Sequence, residues 1–441
     1  MNYPPVKASP TKGLFLEALT RDLELEDAVH DLVDNSIDAA KRTTGRGPFT
    51  GLYVKINFSK DRFEIQDNCG GIDLKTASEI LFRLGRPSSR QAVPGEVGRF
   101  GIGLKRALFM MGRNALVESY TTNSHFTVPV SVDAWKKNDD GDWDFTFDVY
   151  EEGVAVKKER IGTHIKVWNL YPGIANGFIQ PSFVEDLISN LQKKHKPALE
   201  KELVIEVQGT ALISQPYTLK ASEYIKPAVR QFDIKGLPGK PPVSVKLIAG
   251  VEESKPGESG WYVSCNGRFI LVGDKTPKTG WGDNSDVRIP RMHHQFARFR
   301  GFAFFECDDP ERLPWNSSKT GVDVESQVYA KARRLMVETT RPIIDRLNEL
   351  DAESDADKRP LFDAIDTADS KSVTAVLAET SGDSKFVWEG RTDLDKPERP
   401  VRISYTRPLI KVRKVRDKLG VATNREAGEE TFDNFYEHEI R

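Results

Sequence analysis

The chain has 441 residues, of which 29% are charged and 38% hydrophobic, and its formal net charge at pH 7 is −2. That length exceeds one hydrophobic core and predicts two or three domains. The balanced charge excludes a global attraction to nucleic acid or to an acidic membrane, but it leaves room for a local basic patch.

The cysteines and the apolar runs indicate the compartment. The chain has three cysteines, an odd number, and no two of them are spaced as CxxC: Cys69, Cys265 and Cys307. Neither a disulfide framework nor a zinc site is therefore expected. The first residues lack the apolar core of a signal peptide, and no apolar run approaches the ~18 residues that span a bilayer. The sequence therefore predicts a cytoplasmic protein without a membrane segment.

The first half of the chain mixes helices with hairpins. Apolar residues at helical spacing predict helical structure over 11–40, and alternating residues at 52–58 and 63–66 predict a strand hairpin. Residues 85–98 form a polar stretch long enough to be a lid. This pattern favours an α+β fold with helices on one face of a sheet. Further helices are predicted at 76–84, 104–111 and 181–199, and further strands at 115–120, 126–132, 143–150 and 163–170.

The second half predicts another α+β domain, which ends in a helix at 326–350. An acidic, polar stretch at 351–360 is typical of a linker. The predicted division is therefore 1–203, 204–350 and 351–441, the last part being a short C-terminal region. Strands of the second domain are predicted at 204–209, 243–250, 260–272 and 301–308.

The segment HDLVDNSIDAA on the first long helix carries the first candidate chemistry. Asp31 and Asn35 are four residues apart and share a helical face. The amide oxygen of Asn35 is a suitable Mg²⁺ ligand, because this ion keeps most of its waters and takes few protein ligands. The Asp31 carboxylate can orient or deprotonate a water directed at a γ-phosphate. The alternative is an ordinary solvated helix face.

The segments FEIQDNCGGID and RIGTHIKVWNL suggest a site for a flat base. Asp67 at a strand end can accept a hydrogen bond from an exocyclic amine such as that of adenine, while Gly70 and Gly71 permit positive φ and leave room for a ring. Thr163 opens the later strand, where its hydroxyl can complete the base site. A plain turn and an ordinary strand threonine are the alternatives.

The segment EVGRFGIGLKRALFMMG is rich in glycine and opens a helix. Gly98, Gly101 and Gly103 allow backbone N–H groups to converge on phosphate oxygens, and the helix N-terminus adds a positive dipole end. Lys105 supplies a point charge nearby. No strand immediately precedes the segment and the GK[ST] ending is missing, so it is neither a Rossmann fingerprint nor a P-loop. A purely structural loop is the alternative.

Taken in order, these segments resemble the motifs of the GHKL ATPase superfamily, which includes gyrase B, heat-shock chaperone, MutL-type and MORC ATPases. The resemblance covers roughly the first 170 residues. It implies a Bergerat-type α/β sandwich that binds ATP with Mg²⁺, in which Asn35 is the metal ligand, Asp67 anchors adenine and Thr163 makes a water-mediated base contact. The other nucleotide-binding residues that it implies are Ala39, Gly71, Ile72, Gly98, Arg99, Phe100, Gly101, Ile102, Gly103 and Lys105.

Two later segments extend this resemblance towards MORC-like and bacterial relatives. GWYVSCNGRFI is similar to a strand and turn of the ribosomal-protein-S5-like α+β transducer domain. RLPWNSSKTGV is similar to the loop that carries a γ-phosphate-sensing cation in these families. The resemblance implies that Lys319 reaches the ATP site of the same chain and acts with Asp31 in catalysis. A surface lysine is the alternative.

The chain departs from the family pattern at two positions. Most hydrolysing relatives have Glu where this chain has Asp31. Because the Asp side chain is one methylene shorter, its carboxylate falls roughly 1–1.5 Å short of the usual position, and a displacement of that size can cost about a hundredfold in rate. Cys69 occupies the first glycine position of the DNGxG motif, which predicts a negative φ there.

These observations lead to three functional hypotheses. The first is an ATP-gated switch in which ATP orders the lid, two subunits associate through their N-terminal regions and slow hydrolysis resets the state. The second is a nucleotide-sensing subunit with little turnover that acts on a partner effector. The third is a DNA-acting remodeller in genome defence, supported by the basic stretch at 401–420 with Tyr405 among its cations. That stretch can equally contact acidic segments or be solvated.

Overall fold

The computed structural model describes residues 10–83, 85, 95–98, 101–138, 143–236, 238–283, 289–316, 318–353, 358–392 and 403–440. The chain divides into two compact units, Met1–Thr392 and Asp393–Arg441. Within the described residues, none of the helices combines the length and apolar character that crossing a bilayer requires.

The first unit begins with an eight-stranded sheet in the order β5-β4-β3-β6-β2-β1-β7-β8, whose pairings are antiparallel except for β1 with β7. Alternation explains β1 and β2, since Val54, Ile56, Phe63 and Ile65 are buried between more exposed neighbours. The strands are β1 (Tyr53–Phe58), β2 (Arg62–Asp67), β3 (Gly112–Tyr120), β4 (Ser124–Ser131), β5 (Val149–Glu152), β6 (Gly162–Leu170), β7 (Val204–Val207) and β8 (Thr210–Ala211).

Helices accompany this sheet, and the buried apolar residues of α2 and α4 share one hydrophobic core with its strands. The predicted helical region at 11–40 consists of two helices, and Thr11 caps the first through the backbone N–H of Leu14. The helices are α1 (Lys12–Thr20), α2 (Leu25–Thr44), α3 (Leu74–Thr76) with a π-helical turn at Ala77–Leu81, α4 (Gly103–Met111), α5 (Val132–Lys137), α6 (Pro172–Phe178), α7 (Pro181–Lys194) and α8 (Lys196–Glu200).

The strand predicted at 143–150 is much shorter, because β5 begins only at Val149. The residues before it contribute aromatic side chains to the core instead of extending the ladder. Phe145 packs on Phe109 and Trp135, and Phe147 packs edge-to-face on Phe126.

A second sheet of five strands has the order β11-β12-β15-β13-β14, with β13 and β15 parallel. It has its own hydrophobic core, which includes Trp261, Phe305 and Tyr329. Two short pairs, β9 with β16 and β10 with β17, flank it. The strands are β9 (Thr218–Ala221), β10 (Ile225–Lys226), β11 (Ala228–Ile234), β12 (Val243–Val251), β13 (Gly260–Cys265), β14 (Arg268–Asp274), β15 (Phe299–Glu306), β16 (Asp369–Ser372) and β17 (Val387–Trp388).

The helices of this part are α9 (Gln327–Ala352), α10 (Pro360–Asp366) and α11 (Val373–Glu379). Leu361, Ala364 and Trp388 belong to the same core as the second sheet. The compact unit therefore continues to Thr392, beyond the division at residue 350 that the sequence suggested.

The second unit contains α12 (Leu409–Leu419) and α13 (Asn424–Phe435), followed by a π-helical turn at Tyr436–Ile440. A capping box between Thr423 and Glu426 starts α13. The basic residues singled out in the sequence include Lys411, Arg413 and Lys414, which lie exposed on α12.

Candidate functional site

A cleft of about 450 Å³ lies in the first unit, and α2, the ends of β2 and β6, the start of α4 and the loop that carries Lys319 all contribute to its wall. Arg99 and Phe100, which the sequence also proposed, lie outside the described residues. Every other proposed site residue lines this cleft: Asp31, Asn35, Ala39, Asp67, Gly71, Ile72, Gly98, Gly101, Ile102, Gly103, Lys105, Thr163 and Lys319.

Asp67 lies at the end of β2 and is held by three donors. Its Oδ2 accepts from Ser36 Oγ at 2.7 Å, and its Oδ1 accepts from the backbone N–H groups of Cys69 at 2.9 Å and Thr163 at 3.3 Å. Burial raises the pKa of Asp67, and these hydrogen bonds offset part of that rise. A carboxylate has about four acceptor positions, so one remains for a donor in the cleft.

Ser119 on β3 completes this region, although the sequence did not single it out. The ladder between β3 and β6 places it opposite Thr163, and the two hydroxyl oxygens lie 3.1 Å apart. Ser119 Oγ also accepts from the backbone N–H of Ile72 at 2.9 Å. A second hydroxyl therefore fixes both Thr163 and the turn after β2.

Two glycines allow backbones to approach closely beside Asp67. Gly71 has φ 74°, and a Cβ there would lie 2.0 Å from the carbonyl oxygen of Tyr120. Gly162 has φ 144°, and a Cβ there would lie 1.9 Å from the carbonyl oxygen of Asp67. Cys69 keeps a negative φ, as its Cβ predicts.

The glycine-rich segment before α4 is tied to α2 by Asp38. The Asp38 carboxylate accepts from the backbone N–H of Val97 at 2.8 and 3.0 Å and from that of Gly98 at 2.8 Å. Burial raises the pKa of Asp38, and Lys41 opposes this rise. At the other end, Gly101 has φ 65°, and α4 begins at Gly103.

Lys105 is buried in the cleft wall on α4. Its Nζ donates to the carbonyl oxygen of Leu81 at 3.0 Å, where the π-helical turn ends. The lysine thus joins two walls of the cleft. Its role as a phosphate ligand stays a prediction.

Asp31 lies between two cations. Its Oδ2 accepts from Arg106 Nη2 at 2.6 Å, and its Oδ1 lies 3.3 Å from Lys319 Nζ. Lys319 also donates to Asp34 Oδ2 at 2.9 Å. Burial acts to lower the pKa of Lys319, but the carboxylates of Asp34 and Asp31 outweigh it and the pKa is raised.

Asn35 differs from its neighbours on α2 because it is exposed, and it lines the cleft. Among the described residues, no hydrogen-bond partner occupies its side-chain amide. Its oxygen is therefore available to a ligand. Metal binding by Asn35 remains a prediction.

A buried polar cluster behind Asp34 joins α2 to β14. Arg268 Nη1 lies 3.1 Å from His30 Nδ1 and also contacts His195 Nε2. His195 Nδ1 lies 3.6 Å from Asp34 Oδ1, and His30 Nε2 lies 3.2 Å from Glu26. His30 Nδ1 and His195 Nε2 also lie 2.9 Å apart, so the two rings contact each other as well as Arg268. Burial, followed by the charge of Arg268, lowers the pKa of both histidines.

The cleft combines a volume and a set of polar groups that suit a phosphate-bearing small molecule. Its volume of about 450 Å³ suits a small-molecule ligand. Asp67 offers an acceptor, the glycine-lined start of α4 offers backbone N–H groups, and Asn35 offers an amide oxygen.

Comparison with known families agrees with this geometry. Residues 23–163 match the family model described as histidine kinase-, DNA gyrase B-, and HSP90-like ATPase. A search of curated proteins found no match. The matched span begins just before α2 and ends at Thr163, and it contains every candidate residue except Lys319. Residues 23–163 therefore form a GHKL-type ATPase domain within an α+β chain, and such domains generally bind ATP.

Proposed function

We propose that this chain is a Mg²⁺-dependent ATP switch that hydrolyses ATP slowly. One observation carries the proposal: Asp67, Asn35 and the start of α4 line the same cleft as Lys319. Lys319 follows β15, the last strand of the second sheet in the chain. The neighbours of Lys319 in the chain, Trp315 and Val322, belong to the core of the second sheet, whereas α2 and α4 belong to the first core. Ligand binding in this cleft can therefore change how the two cores are held together.

Each group has a distinct role in binding. Asp67 accepts from the adenine amine, and Thr163, which Ser119 holds in place, contacts the adjacent edge of the base. The backbone N–H groups at 101–103 donate to the phosphates. Asn35 holds Mg²⁺, which neutralises part of the phosphate charge when bound.

Lys319 is the proposed γ-phosphate sensor. Its two contacts on α2, Asp31 and Asp34, place its ammonium group in the cleft wall. A terminal phosphate competes with these carboxylates for the same cation. Dimerisation through the N-terminal regions belongs to this proposal by family resemblance. The lid that the sequence predicted at 85–98 falls for the most part on residues 86–94, which lie outside the described part of the chain. A sizing column with a nonhydrolysable ATP analogue tests dimerisation, and an unchanged elution volume counts against it.

A nucleotide sensor with little turnover is the second candidate. Both oxygens of Asp31 face cations, at 2.6 Å from Arg106 and 3.3 Å from Lys319. A general base must have an oxygen directed at the attacking water, and here each oxygen already contacts a cation. This arrangement favours slow turnover or none.

Isothermal titration calorimetry of the intact protein tests the proposal. We expect ATP and ADP to bind in the presence of Mg²⁺ and Asp67→Ala to weaken both by about tenfold to a hundredfold, the range for one hydrogen bond to a charged group. Thermal unfolding of the variant checks that it is folded. If the wild-type protein takes up neither nucleotide, the proposal is wrong.

A further inference from the structure

The backbone at 95–98 lies between the two hydrophobic cores of the first unit. The Val97 side chain is 2% exposed and belongs to the core of the second sheet. Its backbone N–H donates in the opposite direction, to Asp38 on α2. This short segment ends at Gly98, the first glycine of the glycine-rich stretch, so both cores contact the start of that stretch.

Asn266 holds the same segment from the second sheet. It lies in the turn between β13 and β14 with φ 47° and is 7% exposed. Its Nδ2 donates to the carbonyl oxygens of Glu96 and Cys307, each at 2.9 Å, and its Oδ1 accepts from the backbone N–H of Cys307 at 3.0 Å. One side-chain amide therefore joins 95–98 to the end of β15.

Lys41 holds the segment from α2. Its Nζ donates to the carbonyl oxygen of Gly95 at 2.7 Å and to that of Asn266 at 3.1 Å. The carbonyls of Gly95 and Glu96 and the N–H groups of Val97 and Gly98 are thus all bound by side chains from α2 or from the turn of the second sheet.

We infer that Asn266 is a positioning residue of the nucleotide site, which it does not itself line. By fixing the backbone at 95–98, it sets the direction in which the chain enters the start of α4, where the N–H groups at 101–103 are proposed to bind the phosphates. It also makes that direction depend on the position of the second sheet. The inference rests on the proposed function and concerns the phosphates alone, because Asp67 and Thr163, which are proposed to bind the base, are held by each other and by Ser36.

The substitution Asn266→Gly removes the amide and keeps the turn, since glycine adopts positive φ without strain. The measurement is the affinity of the full chain for ADP and for adenosine, from displacement of a fluorescent adenine nucleotide. We expect ADP to bind about tenfold more weakly, the equivalent of ~1.4 kcal/mol, while adenosine binding changes less than about twofold. A general loss of structure weakens both ligands, so the ratio of the two affinities separates positioning from stability.

Gln208 provides a matched control. Like Asn266, it precedes a glycine in a turn and has a positive φ, 50°. Its side-chain amide holds β1, because Nε2 donates to the carbonyl oxygen of Phe58 at 2.7 Å and Oε1 accepts from the N–H of Phe58 at 3.2 Å. It joins β7 to β8 outside the cleft lining. Gln208→Gly is therefore expected to leave the ratio of ADP to adenosine affinity unchanged.

Lys41→Met gives a second, independent variant, which is decisive if Asn266→Gly does not fold. It keeps the aliphatic stem and removes the donor to Gly95, so it is expected to lower ADP affinity selectively as well. If folded variants keep the wild-type ratio, the inference is wrong although the proposed function stands. If the wild-type protein binds no adenine nucleotide, the proposed function fails, and the inference fails with it.

Discussion

The ion pairs of Asp31 conflict with its proposed role as a general base. Its carboxylate contacts Arg106 and Lys319, and those pairs stabilise its charge inside the wall of the cleft. The proposed catalytic role instead requires an oxygen that accepts a proton from water. Hydrolysis then depends on the movement of at least one cation towards the phosphates.

The substitution Asp31→Asn separates binding from chemistry. Asparagine is nearly isosteric but is not a base, so we expect phosphate release to fall at least about a hundredfold, within the usual contribution of general base catalysis. ADP affinity is expected to change much less, because Asp67 and the start of α4 are unaltered. A coupled assay of phosphate release, beside calorimetry with ADP, measures both.

Asp133→Asn is the control for this comparison, because Asp133 also pairs with an arginine, at 2.8 Å from Arg113, but is exposed outside the cleft. It should leave phosphate release unchanged. Turnover that persists in Asp31→Asn would contradict the catalytic role. A wild-type protein that binds ATP without releasing phosphate would favour the sensor.

At the scale of elements, the turn from Asp67 to Ile72 depends on its contact with β3. Gly71 lies against the carbonyl of Tyr120, and the Ile72 N–H donates to Ser119. The adenine end of the proposed site is therefore shaped by two strands that are not neighbours in the sheet, because β6 lies between them.

The substitution Gly71→Ala is expected to displace this turn. The added Cβ would lie 2.0 Å from the backbone oxygen of Tyr120, so either the turn or the end of β3 must shift. Gly51→Ala is the matched control, because Gly51 also has positive φ, 78°, but its Cβ would meet nothing within 4 Å. Gly51→Ala should lower the free energy of unfolding by only ~1–2 kcal/mol, the cost of placing a side chain in the left-handed region of the backbone. Gly71→Ala should lower the free energy of unfolding, measured with urea, by clearly more than the control does, and it should weaken ADP binding at least about tenfold. If both variants lose the same free energy of unfolding, this account is wrong.

The sequence predicted the elements that carry the site: α2, the β1–β2 hairpin, α4 and β6. In each of them the spacing of apolar residues indicates a helix or a strand, and a polar or glycine-containing motif marks the site residues. The strand expected at 143–150 was mostly wrong, since alternation there reflects the packing of Phe145 and Phe147. The partners of the site residues were not predictable. Ser119 requires the register of β3 with β6, and the pairing of Lys319 with Asp34 joins residues 285 positions apart.

At the scale of the whole first unit, the polar cluster of His30, His195 and Arg268 connects α2 and the junction of α7 and α8 to β14 of the second sheet. Both histidines are buried and neutral, and their lowered pKa values mean that the folded state resists protonation. The unfolded chain binds protons near pH 6.5. Stability from this cluster is therefore full above that pH and is lost as the pH falls towards the lowered values.

The substitution His195→Gln tests this pH dependence. The melting temperature of the wild-type protein should fall more steeply between pH 7 and pH 5 than that of the variant. Glu26 and Asp67, whose pKa values burial raises, act in the opposite direction but are common to both proteins. His438→Gln, at an exposed histidine after α13, should keep the wild-type slope. Parallel slopes for all three proteins would contradict the prediction.

The separation of Asp31 from Lys319 by 288 residues has a consequence for biosynthesis. Translation proceeds from the N terminus, and early parts of a chain fold before later parts exist. A ribosome-bound intermediate that ends before residue 319 can hold α2 against its sheet while Asp31 and Asp34 still lack this cation. A nucleotide that binds at this stage contacts a site without Lys319. Its affinity should therefore rise late in translation, once the turn with Asn266 and then Lys319 have left the ribosome.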